Sequence, residues 1–139
     1  MFQILVLSHG NFSCELLKSA ELIVGEQNDG IKAIALLPNQ DMKDYYRNIE
    51  QYVLNTVDKG GTLILTDIMG GSTFINAAKA CHTLCDRVPV EMVTGVNLPM
   101  LIEVLGCREY SSLEQAKQTA LSEGISGIKD FSVCMQDQM

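Results

Sequence analysis

Three features of this sequence have residue types that chemistry needs: His9, Asp67 and the run Gly70-Gly71-Ser72. An imidazole titrates near neutrality, and a carboxylate at one ring nitrogen fixes the tautomer and leaves the other nitrogen free to attack. The glycines let backbone N–H groups turn inward at a helix start, where the dipole favours anions, and the Ser72 hydroxyl adds a donor. Together with Gly10, which follows the histidine, these residues describe a place to carry a phosphoryl group.

Each of these residues also has a purely structural interpretation. His9 could cap the helix that follows it, Asp67 could be only a turn or N-cap residue, and Gly70-Gly71 could serve only to turn the chain. A further loop, Thr94-Gly95-Val96-Asn97, is better explained by helix capping than by chemistry, and His82 has no evident role. The sequence contains no P-loop, no Gly-x-Gly-x-x-Gly and no Gly-x-Ser-x-Gly pattern, so nucleotide folds gain no support and a hydrolase is disfavoured.

Strands that alternate with helices must position these loops. Branched apolar runs predict the strands, and apolar residues at helical spacing predict the helices between them. The predicted strands are a first one that starts at Ile4 and stops at Ser8-His9-Gly10, then Ile31–Leu37, Thr62–Thr66, one within Val88–Val93 and a short fifth over Ile128–Cys134. The predicted helices are one along Leu16–Val24 ended by Gly25, one after Asp41 that carries Tyr45 to Val57, one after Ser72, one capped by Asn97, and a last one from a capping box at Ser111 or Ser112 to about Ser122, broken by Gly124 and Gly127.

This alternation predicts an α/β fold, doubly wound, with a mostly parallel sheet and helices on both faces. In such a sheet the strand-to-helix loops open at one edge, so His9, Asp67 and Gly70-Gly71-Ser72 would converge although they are distant in sequence. We expect a single domain over residues 1–134, followed by a polar and loosely held tail over residues 135–139.

The composition limits the classes of function. With 139 residues, of which 47% are hydrophobic and 19% charged, the chain is expected to be a soluble globular protein. A net charge of −7 argues against nucleic-acid binding, and no apolar run approaches the roughly 18 residues that span a bilayer. No signal peptide is expected, and five cysteines without a Cys-x-x-Cys pair suit reduced thiols in the cytoplasm. Two of them, Cys81 and Cys85, are too few ligands to predict a metal site.

Three motifs, taken in their order and spacing, resemble one family. They are Ser8-His9-Gly10 after a first strand, Thr66-Asp67 leading into Gly70-Gly71-Ser72, and Thr94-Gly95-Val96-Asn97-Leu98-Pro99-Met100-Leu101. Together they are similar to the IIA component (EIIA) of the mannose family of the bacterial phosphoenolpyruvate-dependent sugar phosphotransferase system (PTS). The resemblance covers residues 1 to about 130.

The resemblance implies a cytoplasmic homodimer of doubly wound α/β subunits that exchange a C-terminal strand. His9 would accept a phosphoryl group from phospho-HPr and pass it to a IIB component, while Asp67 forms a hydrogen bond to His9. The IIB phosphate would then go to a sugar carried by the membrane components IIC and IID. No metal or nucleotide cofactor is implied, since backbone N–H groups and helix N-termini, with Gly10, Gly70, Gly71 and Ser72 as the phosphate-binding residues, would meet the transferred charge. No IIB domain follows in the chain, so a separate IIB component is expected as the acceptor.

The chain departs from the family pattern at the start of the third helix. The pattern Gly-Gly-Ser-Pro-Phe-Asn corresponds here to Gly70-Gly71-Ser72-Thr73-Phe74-Ile75-Asn76. Thr73 therefore stands where a proline would stiffen the first helical turn, and Asn76 falls one residue late. The glycine-glycine-serine run is retained, but no role can be transferred to Asn76.

Two alternative functions stay open. The phosphoryl-donor subunit of a dihydroxyacetone kinase shares the fold and the histidine, although Gly70-Gly71-Ser72 and Asn97-Leu98-Pro99-Met100 argue against it. A non-catalytic regulatory module, in which His9 only senses phosphorylation, would be supported by linked transcription-factor domains, for which 139 residues leave no room. The apolar residues Ile125, Ile128, Phe131 and Val133 are too few for a second core and predict a dimer formed by strand exchange.

Overall fold

The computed structural model describes residues 1–137 and contains a four-stranded sheet with helices on both sides. The strands are β1 (Gln3–His9), β2 (Ile31–Leu36), β3 (Thr62–Thr66) and β4 (Val90–Thr94). The helices are α1 (Phe12–Val24), α2 (Met42–Leu54), α3 (Ser72–Leu84), α4 (Leu98–Cys107), α5 (Leu113–Ser126) and α6 (Phe131–Asp137). Over residues 1–137, none of these helices combines the length and the apolar character needed to cross a bilayer.

All strand pairs are parallel, in the order β2-β1-β3-β4. The chain winds from β1 outward to β2 on one side, and from β3 to β4 on the other. The carboxyl ends of β1 and β3 therefore flank the point where the winding direction reverses, which is where doubly wound sheets bind ligands. Leu7 of β1 lies opposite Thr66 of β3, so His9 and Asp67 leave the sheet side by side. The predicted doubly wound α/β fold is confirmed.

Alternation along the strands divides the apolar residues between two cores, one on each face of the sheet. On one face, Ile4 and Val6 of β1 pack with α1, α4 and α5. On the other face, Leu5 and Leu7 pack with α2 and α3. Because the central strands β1 and β3 are buried on both faces, they read as continuous apolar runs.

The capping residues predicted from the sequence are observed. The Asp41 carboxylate accepts the N–H groups of Lys43 and Asp44 at the start of α2. Asn97 accepts the N–H of Met100 at 2.9 Å, so the capping interpretation of the Thr94-to-Asn97 loop is confirmed. At the start of α5, the capping box is the Ser112–Gln115 pair rather than the alternative with Ser111.

Two helix ends differ from the prediction. Helix α5 continues through Gly124 because that glycine lies in close contact with α4: a Cβ atom there would stand 2.7 Å from Cε of Met100. Close packing, and not a break, explains this glycine. Helix α2 ends at Leu54, earlier than predicted, because the chain passes into successive turns before β3. Val57 therefore lies outside the helix, exposed to solvent.

The predicted fifth strand over Ile128–Cys134 is wrong, because the chain forms α6 there. Asp130 provides the physical reason. Its carboxylate accepts the N–H of Val133 at 3.3 Å and its carbonyl accepts the N–H of Cys134, as at a helix start. The apolar side chains of the segment, including Ile128 and Phe131, are exposed. Residues 135–137 of the predicted tail continue α6, and residues 138–139 lie outside the described part of the chain.

A buried cation lies at the opposite, amino edge of the sheet. Arg108 follows α4, is only 5% exposed, and donates from Nη1 to the carbonyl of Asp29 at 2.9 Å. Its Nε and Nη2 atoms are buried without a hydrogen-bond partner among the described residues. A cation at this place is favoured by the C-terminal end of the α4 dipole.

Candidate functional site

The turn after β1 places His9 without using its side chain as a cap. Ser8 is fully buried, and its Oγ accepts the N–H of Ser13 at 2.7 Å while donating to the carbonyl of Gly10 at 3.0 Å. Ser8 therefore supplies the hydroxyl cap of α1, and the N-cap residue Asn11 makes no side-chain hydrogen bond. The interpretation of His9 as the cap of α1 is wrong, so its imidazole is available for other contacts.

Asp67 meets His9 at two points. One carboxylate oxygen, Oδ2, accepts the backbone N–H of His9 at 2.8 Å and lies 2.7 Å from the ring nitrogen Nδ1. The turn from β3 brings this carboxylate beneath the ring, where the Asp67 side chain is 13% exposed and the His9 side chain 46% exposed. A mostly buried acid thus holds a half-exposed imidazole by both its backbone and its ring.

The charge of Asp67 decides which ring nitrogen carries the proton. Burial alone would raise the pKa of this carboxyl, but it is outweighed by hydrogen bonds from the His9 backbone, the Thr73 hydroxyl, the His9 ring and the Ile68 N–H, which lower the pKa to about 2. An ionised carboxylate can only accept hydrogen bonds, so Nδ1 of His9 is the donor. In the neutral ring, Nε2 then holds the free electron pair.

The start of α3 lies against the Nε2 side of the ring. A Cβ atom added to Gly71 would stand 2.7 Å from Cε1 of His9 and 3.2 Å from Nε2, so only glycine leaves room for the imidazole. Gly71 is the N-cap residue of α3 and makes no side-chain capping bond. The first-turn N–H groups of a helix have no partner within the helix, and here they begin beside Nε2 of His9.

The other residues of the predicted phosphate site have different surroundings. Ser72 is the first residue of α3 and is half-buried. Gly70 is exposed and adopts a positive φ of 88°, which lets the chain turn into the helix. The N–H of Gly10, however, donates to the carbonyl of Leu36 at 2.8 Å. Gly10 therefore has no free N–H group for an anion, and the geometry does not support its predicted part in phosphate binding.

Three other residues considered from the sequence stand apart from the site. The Asn76 amide donates to the carbonyl of Ser72 at 2.8 Å, one turn back along α3. It braces the first turn of that helix and makes no hydrogen bond to His9 within residues 1–137. His82 is exposed near the end of α3, and its neighbour Cys81 is a free thiol.

The sequence analysis missed the contact that Thr73 makes. This fully buried residue donates its hydroxyl to the second carboxylate oxygen, Oδ1, of Asp67 at 2.6 Å. Oδ1 also accepts the N–H of Ile68 at 2.9 Å. The available signal was a hydroxyl residue at the second position of a helix that follows directly on the acid-bearing turn.

The chain is similar to known proteins over most of its length. The model of a family described as "PTS system fructose IIA component" matches residues 3–121. The mannose-specific EIIAB component of Escherichia coli K12 is 32% identical over 127 residues, which are 91% of this chain and 38% of that protein. The chain thus spans well under half the length of that relative. The fructose-specific EIIA component of Bacillus subtilis is 29% identical over 98% of this chain and 88% of its own length.

A solved structure is similar over the whole fold. The crystal structure of phosphotransferase system component EIIA from Streptococcus agalactiae superposes with a TM-score of 0.86 and 28% sequence identity, over 96% of this chain and 100% of that one.

Proposed function

We propose, since this chain belongs to the family of PTS fructose IIA components, that His9 is a phosphohistidine carrier which accepts a phosphoryl group from phospho-HPr and passes it to a IIB component. The observation that carries the proposal is the His9–Asp67 pair, whose 2.7 Å contact occupies Nδ1 and leaves Nε2 beside the start of α3. In this proposal the protein is a cytoplasmic phosphotransferase component whose phosphoryl group is used for sugar uptake.

The transfer balances without a cofactor. The Nε2 electron pair of His9 attacks the phosphorus, a new N–P bond forms, and the N–P bond to the donor histidine breaks with its electron pair returning to that ring. Positive charge grows on the His9 imidazole during attack, and the Asp67 carboxylate stabilises it through Nδ1–H. The second transfer repeats these steps with His9 as the leaving group.

The start of α3 is suited to the transferred charge. The N–H groups of Ser72 and its neighbours, at the positive end of the helix dipole, would donate to the phosphoryl oxygens. Gly71 keeps this backbone close to the ring, and the Ser72 hydroxyl would add one donor. We assign phosphate binding to Gly71 and Ser72, with Gly70 forming the turn that presents them.

The surface around His9 favours a protein donor and a protein acceptor. Several apolar side chains that follow the carboxyl ends of the strands are exposed, in the turns after β2 and β3 and in the first turns of α1, α2 and α3. They are Phe12, Leu37, Met42, Ile68, Met69 and Ile75. Exposed apolar side chains gathered at one edge of the sheet suit the docking of another protein. A small-molecule phosphoryl donor would gain little from it.

Mass spectrometry of the labelled protein tests the carrier function. After incubation with phosphoenolpyruvate, enzyme I and HPr, acid-labile phosphate should map to His9. His82 is a built-in control, because it is also exposed but no described carboxylate forms a hydrogen bond to its ring. Addition of a cognate IIB component should then remove the label. Absence of label on His9, or equal label on both histidines, would refute the proposal, and label retained with IIB present would indicate a regulatory acceptor.

We further propose a homodimer formed through the C-terminal segment. Ile125, Ile128, Phe131 and Val133 are exposed in the single chain, on α5, on α6 and on the short link between them. Because the segment after this link is helical, we propose that it packs as a helix against the same segment of a second copy, which would remove these side chains from water. Sedimentation should show a dimer, and truncation after Gly127, which leaves α5 whole, should yield a monomer. A monomeric full-length chain at micromolar concentration would contradict this.

A further inference from the structure

The carboxylate of Asp67 is held at both of its oxygens by different parts of the chain. Oδ2 contacts the end of β1, through the backbone and ring of His9. Oδ1 contacts the start of α3, through the Thr73 hydroxyl at 2.6 Å. Thr73 is fully buried, so this hydroxyl has no water to turn to and its direction is fixed by the acid. The carboxylate therefore cannot rotate without breaking a bond to one of these segments.

The same short stretch of chain contacts the reactive side of the imidazole. Gly71, two residues before Thr73, lies against Cε1 and Nε2 of His9. Asp67 thus connects the Nδ1 side of the ring to the segment that borders the Nε2 side. The connection closes a loop of contacts from His9 to Asp67, to Thr73, along the backbone to Gly71, and back to His9.

We propose that Thr73 is a positioning residue for phosphoryl transfer, because its hydroxyl holds the Asp67 carboxylate and the first turn of α3 in one register around His9. This assignment rests on the proposed carrier function of His9. The Thr73 hydroxyl makes its hydrogen bond to Asp67 and not to the ring, and it acts through the angle at which Asp67 meets Nδ1 and through the distance between Nε2 and the α3 amides. A side chain without a hydroxyl at this position would leave Oδ1 with the Ile68 N–H as its remaining described donor.

Two variants separate the hydroxyl from the rest of the side chain. Thr73→Val keeps the branched shape but cannot donate, and Thr73→Ser keeps the donor but loses the methyl group. We expect Thr73→Val to slow transfer from phospho-HPr about tenfold, the scale of one charge-assisted hydrogen bond to a positioning acid. Thr73→Ser should stay within about twofold of the wild type. Urea unfolding of each variant checks that the fold is retained, and Thr73→Ala replaces Thr73→Val if valine prevents folding.

Nuclear magnetic resonance supplies readouts that a merely structural role would not move. Loss of the Thr73 donor should raise the pKa of Asp67, measured by carboxyl ¹³C shifts, and should broaden or shift the ¹⁵N signals of the His9 ring. Thr73→Ser should restore both. These measurements need no phosphoryl donor, so they test the positioning role even where His9 proves not to be a carrier.

The outcomes separate cleanly. An Asp67 titration and a His9 ring signal unchanged in Thr73→Val would overturn the proposal. A serine variant as impaired as the valine variant would also overturn it, since packing of the methyl group would then be the cause. Wild-type chain that shows the expected titration but takes no label would refute the carrier function alone.

Discussion

Two buried charges occupy opposite edges of the same sheet, and they are held in opposite ways. At the carboxyl edge, the Asp67 carboxylate accepts four hydrogen bonds from His9, Ile68 and Thr73. At the amino edge, the Arg108 guanidinium donates one described hydrogen bond, to Asp29, and two of its nitrogens have no described partner. The Asp67 side chain, 13% exposed, and Arg108, 5% exposed, carry opposite charges and are both largely removed from water, but the number of their hydrogen-bond partners differs.

The difference indicates which charge has a directional task. A carboxylate fixed by several donors meets the imidazole at one angle, as a positioning acid must. A guanidinium with unpartnered nitrogens is not oriented to that degree, and buried charges of this kind are often replaced by apolar groups at little cost. Burial of a charge therefore does not identify a functional site by itself, whereas the completeness of its hydrogen bonds is informative.

Removing the nucleophile should have the largest effect at the carboxyl edge. His9→Ala is expected to take no phosphoryl group from phospho-HPr, because it removes Nε2, the proposed attacking atom. The fold should be retained, since the side chain is half-exposed. Quantitative labelling with circular dichroism as the folding check measures both. The control variant His82→Ala removes the other exposed histidine, on α3, and should be labelled at His9 like the wild type. Residual labelling of His9→Ala would move the site elsewhere.

Asp67→Asn should slow transfer by roughly ten- to thousand-fold. The amide keeps the size of the carboxylate but can donate to Nδ1, which favours the wrong tautomer, and it cannot balance the growing positive charge. The loss should stay below that of a fully buried triad because the imidazole is 46% exposed and water screens it. Stopped-flow transfer from phospho-HPr and ¹⁵N NMR of the ring measure rate and tautomer. An unchanged rate with an unchanged tautomer would reduce Asp67 to a turn residue.

Gly71→Val and Ser72→Ala test the proposed phosphate-binding site at neighbouring positions. Valine at residue 71 would collide with the His9 ring, so transfer should fall by about tenfold or more. Ser72→Ala removes one hydroxyl donor and leaves the backbone N–H groups, so a loss of about two- to fivefold is expected. Single-turnover rates rank the two variants. If Ser72→Ala proves the more damaging, the hydroxyl and not the backbone is the main phosphate contact.

The charge of Asp67 should appear in the pH dependence of stability. Its folded-state pKa of about 2 is lower than its ordinary value, so its contribution to the free energy of unfolding is fully present above the unfolded-state pKa and is lost as the pH falls toward 2. Urea unfolding of the wild type and Asp67→Asn should therefore show a difference in the free energy of unfolding that narrows as the pH falls below about 4. A difference that grows below about pH 4 would contradict the hydrogen bonds assigned to the carboxylate.

The smallest effect is expected at the amino edge. Arg108→Met removes the buried charge and keeps most of the side-chain length, so the free energy of unfolding should change by no more than about 1 kcal/mol. Phosphoryl transfer should stay within about twofold of the wild type. Urea unfolding and the transfer assay check the two statements. A large loss of transfer in this variant would show that the two edges of the sheet are coupled and would contradict the assignment of a directional role to Asp67 alone.

The four strands and the cap residues could be predicted because each has a local signal in the sequence. The meeting of His9 with Asp67 could be predicted because each residue follows a strand of one parallel sheet. Apolar runs mark the strands, and parallel pairing brings their carboxyl ends together. The Thr73 contact could not be predicted, since the distance from Thr73 to Asp67 depends on the path of the intervening turn, including the positive φ of Gly70. The prediction that Gly10 binds phosphate failed because its N–H donates to the carbonyl of Leu36 in the neighbouring strand. Such a hydrogen bond between strands cannot be read from the residue types alone.

The prediction of a fifth strand over Ile128–Cys134 failed for a related reason. Its branched and aromatic residues favour a strand, but a strand needs an edge to pair with, and local capping by Asp130 decides the structure of the chain by itself. Partner availability is a tertiary property that composition does not encode.

The parallel register of β1 and β3 also makes the His9–Asp67 pair depend on correct folding. His9 and Asp67 are 58 residues apart in sequence, and their contact exists only when Leu7 lies opposite Thr66. A slip of one residue would turn the side chains of the displaced strand to the other face of the sheet. A misfolded or half-assembled chain would then present a histidine without its acid and would be a poor phosphoryl acceptor. A phosphoryl relay of the proposed kind would then bypass defective subunits without a separate quality-control step.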